Sequence, residues 1–187
     1  MASARRRAKC IDSLKKEDGT VISAQDDISF EMFNFFEKKW MGQNIVEGGW
    51  PSLEVKRSVL ADFSGYLDAE VTKEEIWNVV CSLGRNKAPG RDGVTASFFK
   101  FFWEIVGEQV TLACLEFFST GVMEPLWKET IVVLLPKVNN PDQPSKFRPI
   151  SLCQTIYKIV AKVLVNRLKG VLPRLISEEQ AAFVPGR

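Results

Sequence analysis

The sequence predicts an α+β fold, predominantly helical, with a small antiparallel sheet. Three observations carry this. Apolar residues recur at the 3.6-residue helical period in several separate stretches. One run alone, Ile131-Val132-Val133-Leu134-Leu135, has the β-branched density of a good strand. Hydrophobic residues make up 45% of the chain against 26% charged, the balance of a chain that buries a core.

The elements follow in order. Arg5-Arg6-Arg7 with Lys9 makes a short basic start, either a solvated terminus or a localisation or RNA-contacting arm. Lys9 to Leu14 and Val21-Ile22 flank Glu17-Asp18-Gly19-Thr20, and Asp-Gly tolerates the positive φ of a tight hairpin turn. Asp26-Asp27 opens a helix to about Trp40, with Ile28, Met32, Phe35, Phe36 and Trp40 on its core face. Adjacent aspartates invite a metal-site reading. At a helix start, however, carboxylates cap free N–H groups and suit the dipole, and capping is the expectation here.

Gly42 to Ser52 is Gly-rich and holds Pro51, so it reads as a loop or hinge. It divides a connector, residues 1–50, from a main body, residues 51–187. Thr72-Lys73-Glu74-Glu75 is a capping box in which Thr72 and Glu75 satisfy each other's orphan donors. The helix it starts runs to about Leu83, with Ile76, Val79, Val80 and Leu83 on one face. Thr95 or Ser97 begins an aromatic helix through Phe98, Phe99, Phe101, Phe102 and Trp103, apolar all round and expected in the core. Val110 to Phe118 is another helix, stopped by Gly121. The strand at 130–136 ends on Pro136. Leu152 to Leu168 is strongly amphipathic, with Ile156, Ile159, Val160, Val163, Leu164 and Leu168 inward and Lys158, Lys162, Asn166, Arg167 and Lys169 outward. Ser177 to Gln180 forms a last cap and turn.

Composition excludes several chemistries. The chain has no histidine, so no imidazole serves as a base. Cysteines at 10, 81, 114 and 153 form no CxxC pair, which leaves no zinc ligand set and suits a reducing compartment. No apolar run reaches membrane-spanning length, and no apolar segment follows the basic start, so neither an anchor nor a signal peptide is expected. The net charge of +2 argues for nothing alone, but from Lys137 onward nine Lys or Arg face three acids.

Three segments have the residue types for chemistry. Arg85-Asn86-Lys87-Ala88-Pro89-Gly90-Arg91-Asp92-Gly93 combines glycines, cations and free N–H groups that suit phosphate, although an ordinary interhelical loop has the same look. Lys137 at the strand end and Arg148 beyond the Pro141–Pro144 connection are two cations able to converge on one polyphosphate, Lys as a point charge and Arg as a planar fork. Pro185-Gly186-Arg187 is a turn with no element after it, so the chain reads as cut there.

Together these segments resemble the reverse transcriptase of plant non-LTR retrotransposons, the LINE type. The resemblance rests on Lys87-Ala88-Pro89-Gly90 with Asp92-Gly93, on Trp127, on Leu135-Pro136-Lys137 and on Phe147-Arg148-Pro149-Ile150-Ser151-Leu152-Cys153. It continues through Ile156-Tyr157-Lys158-Ile159, Asn166-Arg167-Leu168, Gln180 and Ala182-Phe183-Val184-Pro185-Gly186-Arg187. Arg91 departs from a common Pro, and Gln154 from a common Asn.

The resemblance implies a partial right-hand polymerase: fingers and an N-terminal extension, with the palm catalytic core missing. It implies that Lys137 and Arg148 grip the incoming nucleotide, and that Lys87, Arg91, Gln180 and Arg187 lie along the template or primer. The partners are then RNA template, DNA primer, dNTP and the remaining palm and thumb, in the nucleus. The family's metal-binding aspartates fall beyond residue 187, so no catalytic or metal-binding residue is expected within the chain. Mg2+ is expected for the complete polymerase only. Two other readings stand beside this one. A non-catalytic fragment would bind nucleic-acid backbone through Lys137, Arg148, Arg167 and Lys169, with steep salt dependence. A functionless product of a decayed element would expose the aromatic helix 98–106 and aggregate.

Overall fold

A computed structural model describes residues 11–41, 61, 63–85 and 87–176. The 42–52 hinge, the 177–180 cap and the basic start lie outside the described residues. The chain divides into two compact units, residues 1–49 with 132–150 and residues 50–131 with 151–187. Helices dominate, beside two separate two-stranded antiparallel sheets.

In the first unit, β1 (Leu14–Lys15) pairs with β2 (Val21–Ile22), Leu14 opposite Ile22 and Lys15 opposite Val21. The turn forms as a five-residue connection, 16–20, in which Gly19 takes positive φ and Asp18 does not. Gly19 takes φ +90°, and the Asp18 carboxylate accepts from the Thr20 N–H at 2.8 Å. That bond holds the Asp18 carboxyl below its ordinary range. Helix α1 (Gln25–Trp40) begins at Ala24 without a side-chain cap. Asp26 and Asp27 sit in its first turn, so they act on the helix dipole and not as caps. Ile28, Met32 and Phe36 close a core with Leu14 and Phe147, and Phe35 and Leu134 pack at its edge. Trp40, expected inside, is 57% exposed. It lies one turn past the last core contact and tilts onto Phe36, ring centroids 5.6 Å apart.

The second unit is helical: α2 (Lys73–Ser82), α3 (Ala96–Phe101), α4 (Trp103–Thr120), the short α5 (Pro125–Lys128), α6 (Thr155–Lys169) and the short α7 (Leu172–Leu175). Ile76, Val79 and Val80 of α2 meet Ile156, Ile159, Val160 and Val163 of α6, with Phe99, Val110 and Cys114 completing the core. Thr72 caps α2 as expected, accepting from the Glu75 N–H at 3.1 Å. The capping box is only half made, because the Glu75 carboxylate turns to Arg167 instead. At the other end of α2 the Lys100 ammonium donates to the carbonyls of Cys81 and Leu83, satisfying orphan acceptors.

The aromatic stretch is not one helix. Thr95 caps α3, Phe102 breaks the run at φ −101°, ψ 20°, and α4 starts at Trp103. The bend sends the side chains different ways. Phe99 enters the core, whereas Phe101 is 81% exposed and Phe98 and Phe102 are also exposed, against the expectation of burial. Trp103 folds back along α4 over Gly107 and stacks on Trp77 with centroids 4.8 Å apart. Gly121 ends α4 in the left-handed conformation at φ +71°. Leu152 and Cys153 belong to a strand, so α6 starts at Thr155. Two of its expected core residues, Leu164 and Leu168, are exposed, while Arg167, expected outside, is buried.

Candidate functional site

Strands β3 (Thr130–Pro136) and β4 (Phe147–Cys153) have seven residues each and pair with one another. At one end the Lys137 N–H donates to the Lys146 carbonyl at 2.9 Å. At the other, the Thr130 hydroxyl meets the Cys153 sulfur at 3.3 Å. Both contacts fit one antiparallel register, which puts Leu135 opposite Arg148 and Leu134 opposite Pro149. Side chains alternate between faces along each strand. Within the first unit, one face therefore sends Leu134 and Phe147 into the core. The other carries Val133, Leu135 and Lys137 with Arg148, all exposed.

Lys137 and Arg148 are thus diagonal neighbours on one face, a separation of about 7–8 Å between strands. The Lys137 ammonium donates to the Ser145 carbonyl at 2.8 Å. The Arg148 guanidinium has no hydrogen bond or ion pair among the described residues, so its fork is available. Lys146 belongs to the same group. It ends the 3-10 turn Pro144–Lys146 and pairs with Asp142. The sequence reasoning missed Lys146. No sequence signal marked it, because its place follows from the bond between the Lys137 N–H and the Lys146 carbonyl.

The 85–93 loop in the second unit is docked, not free. Gly90 is buried against the backbone where β4 gives way to α6, and a Cβ there would lie 2.6 Å from the Gln154 nitrogen. Lys158 of α6 donates to the Ala88 carbonyl at 2.8 Å, and the buried Thr155 hydroxyl to the Val94 carbonyl at 2.7 Å. Gln154 reaches the Leu126 carbonyl at 2.8 Å. From this platform Lys87 projects exposed, while Arg91 pairs with Glu129 at 3.0 Å on an exposed surface. A pair so exposed is worth about 0–1 kcal/mol and exchanges readily for another anion. Gln180 and Arg187 lie outside the described residues.

Arg167 leaves the group of backbone-binding cations. It is 8% exposed and makes a bidentate pair with Glu75, Nε to Oε1 at 2.9 Å and Nη2 to Oε2 at 2.8 Å. It also donates to the carbonyls of Leu67, Ala69 and Glu70. Its bonds to the Glu75 carboxylate hold the guanidinium pKa above its ordinary value. Among the described residues no cluster of three His, Cys, Asp or Glu side chains is arranged to hold a metal ion. No described helix is long and apolar enough to cross a membrane.

No protein-family model matches the chain. Among curated proteins, the transposon TX1 uncharacterized 149 kDa protein of Xenopus laevis is 32% identical over 96% of this chain. The putative 115 kDa protein in type-1 retrotransposable element R1DM of Drosophila melanogaster is 30% identical over 53% of it. The RNA-directed DNA polymerase from mobile element jockey, also from Drosophila, is 26% identical over 52% of it. The chain spans 14%, 10% and 11% of the lengths of these three relatives. The homologues of this chain are therefore proteins of non-LTR retrotransposons, RNA-directed DNA polymerases among them.

Proposed function

We propose that the chain is a fingers segment of a LINE-type reverse transcriptase of plant origin, binding the incoming dNTP and the RNA template with its DNA primer. One observation carries the nucleotide role: Lys137 and Arg148 share one exposed face of the β3–β4 pair, and among the described residues the Arg148 fork has no competing acceptor. A fork and a point charge at that spacing suit successive phosphates of a triphosphate. Lys87 and Arg91 project from a loop braced by Lys158 and Thr155, a placement suited to a template or primer backbone, and the family resemblance assigns Gln180 and Arg187 the same partner. Polymerisation in the nucleus then requires the palm and thumb of a complete polymerase, whose aspartates take Mg2+.

Equilibrium titration of a dNTP tests this. Each of Lys137→Ala and Arg148→Ala removes a charged hydrogen-bonding group worth about 1.5–3 kcal/mol, roughly a ten- to hundredfold loss of affinity. Unchanged affinity in both variants overturns the assignment.

A further inference from the structure

We propose that Lys146 is a third polyphosphate-binding cation at the Lys137 end of the β3–β4 pair, and that Asp142 holds it in reserve until an anion displaces the carboxylate. The inference rests on the reading of Lys137 and Arg148 as phosphate ligands and extends it to the connection between their strands. Lys146 sits opposite Lys137, whose N–H bonds its carbonyl. It ends the 3-10 turn that leads into β4, two residues before Arg148. Lys137, Lys146 and Arg148 are then three cations at the same end of the β3–β4 pair.

The connection is braced at its backbone. The Asp142 carbonyl accepts from the Lys15 N–H at 2.6 Å, the Lys146 N–H bonds the Gln143 carbonyl at 3.0 Å, and Pro144 is buried. A fixed Asp142 thus presents its carboxylate to Lys146 from four residues back. The Lys146 ammonium holds that carboxyl below its ordinary range, which keeps it charged. The pair is open to solvent, with side chains 39% and 52% exposed. Exposed pairs bind weakly and exchange easily. A single carboxylate competes poorly with a ligand bearing several charges, so the reserve favours chains of phosphates over a lone phosphate.

The test is calorimetric titration of the full chain with inorganic tripolyphosphate and, separately, with inorganic monophosphate. Circular dichroism confirms that each variant keeps the native fold. Lys146→Ala is expected to weaken tripolyphosphate binding about three- to tenfold and to leave monophosphate binding nearly unchanged. Asp142→Asn is expected to tighten tripolyphosphate binding by a similar factor, and only while Lys146 is present. If Lys137→Ala loses binding but Lys146→Ala does not, the third cation is refuted while the two-cation site stands. If Asp142→Asn tightens binding equally in the Lys146→Ala background, the reserve role is refuted. Wild-type protein that binds neither anion overturns both this inference and the nucleotide reading beneath it.

Discussion

Replacing Arg167 by Ala probes how α6 is joined to α2 and to the 67–70 segment. The guanidinium serves two oxygens of Glu75 and three backbone carbonyls. Removing one partner of a buried ion pair costs about 3–5 kcal/mol, because the remaining charge is left desolvated. Two features lower that figure here. The Glu75 side chain keeps 26% of its exposure, and Ala69 and Glu70 are exposed residues whose carbonyls regain water. The expected loss is therefore about 3 kcal/mol. For a chain of this size each kcal/mol moves Tm by about 2–4 °C, so the variant should melt roughly 6–12 °C lower. Arg167→Lys keeps a charge but loses the fork, and should fall between the two. Adding Glu75→Gln to Arg167→Ala should recover part of the loss by removing the stranded carboxylate. Urea and thermal melts followed by far-UV circular dichroism measure all of these. An Arg167→Ala variant within about 0.5 kcal/mol of wild type, the range of an ordinary surface substitution, would refute the clamp.

Other outcomes follow from the same structure. Gly90→Ala places a methyl 2.6–2.8 Å from backbone atoms of Cys153 and Gln154, and should cost about 1–3 kcal/mol in a thermal melt; a neutral result would show that the loop does not dock. Burial pushes the Cys114 thiol up to about 12, whereas Cys81 is exposed. At pH 8 a thiol reagent should label Cys81 quickly and Cys114 only on unfolding; equal rates in the folded protein would mean an open core. Between pH 9.0, the ordinary thiol value, and about 12, the unfolded chain gives up the Cys114 proton that the folded chain keeps, so this residue's contribution to stability falls as pH rises.

What could be read from sequence was local. The Asp-Gly hairpin, the Thr72 cap, the 130–136 strand and the Gly121 stop depend on dihedral preference and side-chain spacing within a few residues. So do the inward positions of α2 and the first half of α6. The misreadings involve partners far along the chain. Arg167 looked like a solvated helix charge because its carbonyl acceptors lie about 100 residues earlier. Glu75 completed a capping box by pattern, yet its carboxylate is drawn to that same Arg167. The Phe98–Trp103 run has helical composition throughout, and nothing in it marked the break at Phe102. For the site, residue type singled out Lys137 and Arg148, but their shared face follows from the strand register. Lys146 became visible only with that register.

The first unit is assembled from two stretches that are far apart in the chain. Leu14, Ile28, Met32 and Phe36 share a core with Phe147, and the 82 residues numbered 50–131 come between the two stretches. Its folding therefore cannot follow the order of translation. At roughly 5–20 residues per second, the ribosome needs about 5–20 s after Phe36 before Phe147 is made. Throughout that interval the α1 aromatics lack their closing side chain, and the second unit's α2 and α4 are already emerging. Closing so long a loop costs only slightly more than closing a short one, since the entropy grows with the logarithm of length. The delay is thus one of synthesis more than of thermodynamics. It leaves the apolar face of the newborn α1 uncovered for as long as that synthesis takes.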